Sequence, residues 1–219
     1  LGDACRAMDL PVVGGNVSLY NETPSGPIYP TPVIGMVGEL FEPASCAGEP
    51  WRDGDAIALV GPFNPSLAGS ELEKLRGQLG AGLPAIEIAP VRAAIELIRD
   101  AVRAGTIRTV TDISDGGIST ALGEHAIASG IGCEADLEPV MVRHECSAED
   151  ALFGEAPGGF IVAGEKSQIE LLAGQGVEFD LLGEVGGEML NVTAGEMRVE
   201  VLAAEASAAF ESLAHKIEA

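Results

Sequence analysis

Apolar runs of strand length alternate with segments of helical periodicity along most of the chain, and this alternation constrains the fold more than any other feature. Strands are predicted at residues 55–61, 107–111, 133–138, 159–163 and 179–185. Helices are predicted at residues 70–75, 91–104, 119–129, 167–173 and 203–217. Strands at 189–193 and 197–202 flank Ala194-Gly195, which indicates a hairpin. The pattern predicts an α/β (α+β) fold with a mixed sheet.

The composition suits a globular chain with an aliphatic core. Of the 219 residues, 47% are hydrophobic, so the chain can bury a sizeable core and is not expected to be disordered. Its length suits one large domain, or one domain with a fragment of another. Only 4% of the residues are aromatic, so Ala, Val, Ile and Leu must build the core. The 29 Gly and 13 Pro indicate many tight connections.

The net charge and the spacing of the cysteines argue against several kinds of partner and ligand. The formal net charge is −22, so no nucleic-acid partner is expected, because binding a phosphate backbone needs a basic surface. Anionic membrane surfaces are disfavoured for the same reason, and no run approaches the roughly 20 apolar residues of a membrane span. Cys5, Cys46, Cys133 and Cys146 lie far apart and lack zinc-site spacing. They are predicted to be reduced thiols of a cytoplasmic protein.

The first quarter of the chain differs from the rest. The chain opens with Leu1 and a predicted helix at residues 3–8, without an initiator Met, so we expect it to be a piece of a longer protein. Residues 1–41 are too few to bury their own apolar faces. Residues 42–53 are rich in Pro and are predicted to be a linker. A second domain is predicted over residues 54–219.

Residues 14–22 (Gly-Gly-Asn-Val-Ser-Leu-Tyr-Asn-Glu) form a polar segment between apolar runs at 10–13 and 32–38, both predicted to be short buried strands. Gly15 has no Cβ to block a bulky ligand. Asn16 offers a neutral carbonyl oxygen of the kind that Mg²⁺ accepts. Ser18 would face the same side as Asn16 in an extended strand. A polar hairpin turn without a ligand remains an alternative on these residues alone.

A second polar segment, residues 111–117 (Thr-Asp-Ile-Ser-Asp-Gly-Gly), follows a predicted strand and opens a predicted helix. A helix start offers free backbone N–H groups and a partial positive charge, which favour phosphate. Asp112 and Asp115 could hold Mg²⁺ against a phosphate, and Ser114 could donate to a phosphate oxygen. The alternative is that Ser114 or Asp115 only caps the helix.

Five stretches together carry a resemblance to a known family. They are residues 14–22, 29–38, 69–71 (Gly-Ser-Glu), 112–117 and 152–155 (Leu-Phe-Gly-Glu). In this order they resemble the second half of phosphoribosylformylglycinamidine synthases, the ATP-dependent amidotransferases of purine biosynthesis. The stretch at 112–117 is shared with the wider superfamily of aminoimidazole ribonucleotide synthetase and selenophosphate synthetase.

The resemblance implies a fold and a reaction. Residues 1–41 would be the C-terminal part of an ATP-binding aminoimidazole ribonucleotide synthetase N-terminal-like domain. Residues 54–219 would be the C-terminal-like domain, an α/β sandwich. The family ligase converts formylglycinamide ribonucleotide, glutamine-derived ammonia and ATP to formylglycinamidine ribonucleotide, ADP and phosphate. The family's catalytic His lies in the first half, so this chain is expected to hold no catalytic residue and to be inactive alone.

The resemblance also implies residue roles and partners. Gly15 would contact ATP, Asn16 would ligate Mg²⁺ and Ser18 would contact the substrate. Ser114 and Asp112 would serve an auxiliary nucleotide and its Mg²⁺. The implied partners are formylglycinamide ribonucleotide, the missing N-terminal half of the same polypeptide, a glutaminase subunit and a small accessory subunit.

One departure from the family pattern bears on the local ligand role. The family often continues after Glu155 with a small polar residue and an Arg, whereas this chain has Ala-Pro-Gly-Gly-Phe at 156–160. An Arg could bind phosphate bidentately and Gly159 cannot, so a purely structural role stays open for Glu155. Two alternatives stay open: another superfamily member, or a non-catalytic assembly domain with a structural nucleotide. The run at 14–22 speaks against the first.

Overall fold

The computed structural model describes residues 1–28, 31–40, 47–78, 80, 82–83 and 85–217, with side chains to residue 212. By internal contacts the chain divides into two compact units, Leu1–Ala44 and Ser45–Ala219. Of the predicted linker at 42–53, residues 42–46, which include Cys46, lie outside the described residues. Tyr29 and Pro30 also lie outside them. Trp51 is only 2% exposed and belongs to the core of the second unit.

Among its described residues, the first unit contains one helix and one short hairpin. Helix α1 spans Gly2–Met8, which confirms the predicted helix, and ends where Asp9 takes a left-handed conformation. Strands β1 (Glu22–Thr23) and β2 (Gly26–Pro27) pair antiparallel. The hydroxyl of Thr23 closes their turn by donating to the Gly26 carbonyl over 3.0 Å.

The strands predicted at residues 10–13 and 32–38 are wrong for this structure. Both segments lack regular structure, and their apolar side chains are open, with Val13 96% exposed and Val33 95%. A strand needs a neighbour for its N–H and C=O groups and cover for its apolar face. Among the described residues of this unit, no segment supplies either to these runs.

The second unit is built on a seven-stranded mixed sheet, as predicted. Its strand order is β4-β6-β3-β7-β5-β8-β9, with β5 and β8 parallel and all other neighbours antiparallel. The strands are β3 (Ala56–Val60), β4 (Thr109–Asp112), β5 (Cys133–Asp136), β6 (Phe160–Gly164), β7 (Phe179–Val185), β8 (Met189–Ala194) and β9 (Met197–Leu202).

Helices cover both faces of this sheet. They are α2 (Glu71–Leu75), α3 (Ile88–Arg103), α4 (Gly117–Ser129), α5 (Glu138–His144), α6 (Ala148–Phe153), α7 (Lys166–Ile169) with a 3₁₀ turn at Glu170–Leu172, and α8 (Ala203–Ile217). One core joins Ile57 of β3 to Leu122 of α4, and a second joins Ala58 of β3 to Ile98 of α3. Every residue of β3 is buried, and alternate residues of this strand belong to the two cores.

Several predicted elements agree with the structure and some boundaries move. Strand β7 has the predicted bounds, and the hairpin of β8 and β9 turns at Gly195, whose φ is 56°. Ser70 caps α2 as predicted, accepting from the Glu73 amide over 3.3 Å. Helix α3 begins at Ile88, earlier than expected, so Pro90 lies within its first turn, where Pro is tolerated.

The prediction missed α5 and α6. The strand predicted at 133–138 ends at Asp136, because the Asp136 carboxylate accepts from the Glu138 amide over 2.9 Å and starts α5. Strand β5 lies inside the sheet, between β7 and β8. Helix α6 follows a capping box formed by Ser147 and Asp150. Within the described part of the chain, every helix is too short or too polar to serve as a membrane span.

Candidate functional site

Three of the stretches singled out in the sequence meet in the second unit at the side chain of Glu155. Its Oε1 accepts a hydrogen bond from the backbone amide of Gly116 and another from that of Glu71, each over 2.8 Å. Glu71 belongs to the stretch at 69–71, Gly116 to the stretch at 112–117, and Glu155 ends the stretch at 152–155. Segments far apart in sequence are thereby joined through one carboxylate.

Helix α6 brings Glu155 to this position. The Ser147 hydroxyl caps the helix, and the Asp150 carboxylate both completes the capping box and accepts from the Leu67 amide over 3.2 Å. After the helix ends, the Glu155 amide donates to the Ser66 carbonyl over 2.9 Å. The segment that leads into Glu155 is therefore tied to residues 66–67 at two points, the Asp150 side chain and the Glu155 amide.

Gly117 permits the close approach between the start of α4 and the end of α6. Its φ is +70°, a conformation that other residues rarely adopt. A Cβ at this position would lie 2.7 Å from the Gly154 carbonyl oxygen and 2.8 Å from the Phe153 carbonyl carbon. The second glycine of the stretch at 112–117 therefore serves packing, and through that packing it sets the contact to Glu155.

Asp112 and Ser114 lie at the end of β4, where the chain turns towards α4. The Ser114 hydroxyl donates to Asp112 Oδ2 over 2.6 Å, and both side chains are exposed. The Ser114 side chain does not cap α4, because the N-cap residue is Gly116, which has no side chain, and the Gly116 amide donates to Glu155. The alternative, that Ser114 or Asp115 only caps the helix, is thus wrong.

A cleft of about 570 Å³ opens beside these residues. Its lining combines oxygen-bearing and apolar residues. The oxygen-bearing ones include Asp112, Ser114, Asp115 and Glu155, and the apolar ones include Val91, Ile95, Pro157 and Phe160. Lys74 lies close to two of these carboxylates: hydrogen bonding and charge from Glu71 chiefly raise the pKa of its ammonium group, with smaller contributions from Asp115 and Glu155.

The carboxylates that line the cleft are not arranged as a metal centre. In the described ranges, no group of three or more His, Cys, Asp or Glu side chains is arranged to hold a metal ion. The side-chain oxygens of Asp112 and Ser114 are of the kind that binds a hard cation. However, the Ser114 hydroxyl already donates a hydrogen bond to the Asp112 carboxylate. Their predicted roles towards an auxiliary nucleotide and its Mg²⁺ stay predictions.

The first polar segment lies in the other unit. Gly15, Asn16 and Ser18 are exposed and outside regular structure, so the extended strand expected to align Asn16 with Ser18 is not formed. The Ser18 Oγ accepts from the Tyr20 amide over a long 3.4 Å. A Cβ built on Gly15 would meet nothing within 4 Å. The predicted contacts of these residues with ATP, Mg²⁺ and substrate stay predictions.

The sequence reasoning left Glu155 without a clear role and gave Gly117 none. The sequence marked Glu155 through the family motif Leu-Phe-Gly-Glu and marked Gly117 through the paired glycines at 116–117. Neither motif predicts that the start of α4 contacts the end of α6, because that contact depends on how the sheet brings the two helices together.

The fold and the joined motifs define a family. The chain belongs to the family described as AIR synthase related protein, C-terminal domain, whose model matches residues 52–195. It is similar to proteins named phosphoribosylformylglycinamidine synthase subunit PurL. It is 36% identical to that of Renibacterium salmoninarum over 193 residues, covering 86% of this chain and 25% of the relative. It is 35% identical to that of Brucella ovis over 219 residues, covering 96% of this chain and 28% of the relative.

Solved structures show the same fold. The structure of T. maritima PurL complexed with ADP matches with a TM-score of 0.64 and 14% sequence identity, covering 94% of this chain and 33% of that one. The structure of T. maritima PurL complexed with FGAR matches with a TM-score of 0.63 and 16% identity, covering 75% and 30%. This chain therefore spans about a quarter to a third of the relatives that it matches.

Proposed function

We propose that this chain is the C-terminal portion of the synthetase subunit of a phosphoribosylformylglycinamidine synthase, a ligase of de novo purine biosynthesis. The observation that carries the proposal is identity of 35 to 38% to several PurL subunits along 86 to 96% of the chain. The T. maritima PurL complexes with FGAR and with ATP support the same substrate and nucleotide for the longer protein.

In the proposed reaction, the amide oxygen of formylglycinamide ribonucleotide attacks the γ-phosphorus of ATP, and ADP leaves. Ammonia, derived from glutamine, then adds to the activated carbon, and phosphate departs with the former amide oxygen to give the amidine. Phosphoryl transfer of this kind depends mainly on positioning and charge stabilisation. No residue of this chain is assigned the acid–base step.

The residues of this chain that we assign to the reaction lie in the first unit. The backbone of Gly15 would lie against ATP, since it has open space and no Cβ. The Asn16 carbonyl oxygen would bind Mg²⁺, which supplies positive charge at the transferred phosphate. The Ser18 hydroxyl would bind the ribonucleotide. All three are exposed, so each is accessible to a ligand.

The domain assignment is part of the proposal. Residues 1–41 would complete an aminoimidazole ribonucleotide synthetase N-terminal-like domain whose remainder lies in the missing N-terminal half. Exposed apolar residues support this, because Val13 and Val37 lie in strand-length runs with open faces. Residues 54–219 would form the C-terminal-like domain. A glutaminase subunit and a small accessory subunit would complete a cytoplasmic complex.

A second role is proposed for the second unit, an auxiliary nucleotide site at Asp112 and Ser114. The cleft of about 570 Å³, lined by both apolar and oxygen-bearing residues, favours it. In this role the nucleotide would support structure and Mg²⁺ would screen the acidic side chains.

The test joins this chain to the rest of the polypeptide and measures amidine formation with ammonia, ATP and formylglycinamide ribonucleotide. We expect turnover in the longer protein and none above a no-protein control in this chain alone. Turnover by the isolated chain would contradict the fragment assignment. Consumption of ATP with formylglycinamidine ribonucleotide as the substrate instead would favour an aminoimidazole ribonucleotide synthetase. Binding of ADP without any ligase activity would favour the assembly role.

A further inference from the structure

One face of the seven-stranded sheet is covered only in part. On that face, the core joins Ala58 of β3 and Val162 of β6 to Ile98 of α3, and strands β5, β8 and β9 contribute none of its described residues. Alternate residues of these three strands belong to the core on the opposite face. Their other side chains, together with Glu184 of β7, form a surface that we call the acidic face. Its members are Glu134, Glu184, Met189, Asn191, Arg198 and Glu200, and all but Asn191 are exposed.

Three carboxylates lie in one row across the acidic face. Glu184 of β7 is directly opposite Glu134 of β5. Asn191 of β8 comes next in the row, and Glu200 of β9 follows it. Like charges directly opposite each other on neighbouring strands are destabilising. Among the described side chains, neither Glu134 nor Glu184 forms an ion pair, so nothing there offsets the repulsion between them.

The side chain of Asn191 fixes its neighbours on the acidic face. It is only 5% exposed, and its Nδ2 donates to Glu134 Oε2 over 2.8 Å. Its Oδ1 accepts from Arg198 Nε over 2.6 Å, and that Nε also lies 3.6 Å from Glu200 Oε2. The guanidinium of Arg198 is therefore engaged at the Asn191 and Glu200 end of the row. Glu134 is held in position by an amide, and its negative charge still needs a cation.

We propose that the acidic face is a docking surface for a basic protein surface, which belongs to the part of a longer polypeptide outside these 219 residues. Lysine or arginine side chains of that surface would neutralise Glu134 and Glu184. Met189, 37% exposed, would supply apolar contact area beside them. A second copy of this chain is a poor occupant, because each copy carries a net charge of −22.

The length of the relatives favours a surface from the same polypeptide. This chain covers 25 to 28% of the PurL subunits that it matches, so most of their length lies outside the matched part. A surface that is tethered in the same polypeptide binds at a high effective concentration. The inference therefore rests on the proposed assignment of this chain as a portion of a synthetase subunit.

Met189 and Met197 provide a matched pair for the test. They are 37% and 38% exposed, and they lie on opposite faces, because Met197 alternates with Arg198 and shares the face of Val199 and Val201. Hydrogen peroxide should oxidise both at similar rates in the 219-residue chain. In the complete polypeptide, Met189 should be oxidised at least about fivefold more slowly than Met197, because docking excludes water from the contact. A Met189 rate that slows no more than that of Met197 would overturn the proposal.

Glu184→Lys tests the charge of the docked surface. In the 219-residue chain this variant should fold normally and leave the two oxidation rates similar, because a cation opposite Glu134 is favourable. In the complete polypeptide it should restore fast oxidation of Met189, because like charges would then meet across the contact. Glu124→Lys, at an exposed position of α4, is the control and should keep Met189 protected. Protection that survives in Glu184→Lys would show that the docked surface is not basic.

Ligase activity of the same preparations separates this inference from the proposed function. Amidine formation by a complete polypeptide in which Met189 is as reactive as Met197 would reject the docking and leave the ligase proposal standing. Slow oxidation of Met189 without ligase activity would support the docking and reject the ligase proposal. Protection of Met189 in the 219-residue chain that increases with protein concentration would identify a second copy as the occupant, and it would overturn the proposal.

Discussion

The carboxylate of Glu155 accepts a hydrogen bond from the backbone amide of Gly116, which lies 39 residues earlier in the chain. Through this contact the end of α6 fixes the start of α4. The same oxygen also binds the amide of Glu71 at the start of α2. Glu155 thus positions the loop that carries Asp112 and Ser114. In the sequence it was recognisable only as the last residue of a short family motif.

Gly117→Ala should destabilise the second unit, because the new Cβ would meet the Gly154 carbonyl oxygen at 2.7 Å and the residue would keep a φ of +70°. Strain and overpacking together predict a loss of about 2–4 kcal/mol in the free energy of unfolding. Gly130→Ala is the matched control, with the same φ and nothing within 4 Å of the new Cβ. It should lose only about 1–2 kcal/mol. Urea unfolding measures both, and equal losses would contradict the packing role of Gly117.

Stability should fall as the pH drops below about 6.5, in part through His125. Burial lowers the pKa of this imidazole, which stacks on Trp51 with ring centroids 5.1 Å apart. Because its pKa is lower in the folded chain, the unfolded chain binds the proton first as the pH falls. The stabilisation is therefore complete above the unfolded pKa and is lost as the pH falls from that value through the folded one.

His125→Phe tests this origin, since the ring can still stack but no longer titrates. The slope of unfolding free energy against pH between about 7 and 5 should become flatter than in the parent chain. The slope measured for His144→Gln shows how much a second imidazole contributes, because burial also lowers the pKa of His144. An unchanged slope in His125→Phe, with an unchanged fold, would exclude His125 as a source of the acid sensitivity.

Ser18→Ala in the complete ligase should raise the KM for formylglycinamide ribonucleotide by roughly threefold to tenfold and leave the KM for ATP nearly unchanged, because one neutral hydrogen bond is lost. In this structure Ser18 also accepts from the Tyr20 amide, over a long 3.4 Å. If that local contact were its whole role, the variant would lose thermal stability and keep both KM values. Ser25→Ala, in the nearby hairpin turn, is the control for changes to this unit.

The sequence predicted best the elements that local patterns specify. Strand β7, the hairpin of β8 and β9, and helix α8 follow from alternation, a turn glycine and helical periodicity. The strands predicted at 10–13 and 32–38 failed because an apolar run becomes a strand only beside a partner. Helices α5 and α6 are short and were missed, although Ser147 and Asp150 have the spacing of a capping box.

In the candidate site too, features that depend on neighbouring residues could be predicted, and contacts between distant residues could not. The stretches at 69–71, 112–117 and 152–155 could be found in the sequence, and the cap at Ser70 follows from local chemistry. Their meeting at Glu155 could not be found, because it depends on the strand order that sets α4 beside α6. The order β4-β6-β3-β7-β5-β8-β9 joins strands distant in sequence, and local periodicity carries no information about such pairing.

A Mg²⁺ titration of ligase activity in the complete protein with Asn16→Ala tests the proposed ATP and Mg²⁺ site most directly. We expect this variant to need more Mg²⁺ for half-maximal turnover and to have a lower maximal rate, with an unchanged melting temperature, because the ion loses one oxygen ligand. Asn21→Ala, which removes the same amide group five residues further along, should behave like the parent. An unchanged rate for Asn16→Ala at every Mg²⁺ concentration, with normal stability, would contradict the placement of the ATP and Mg²⁺ site in residues 14–22.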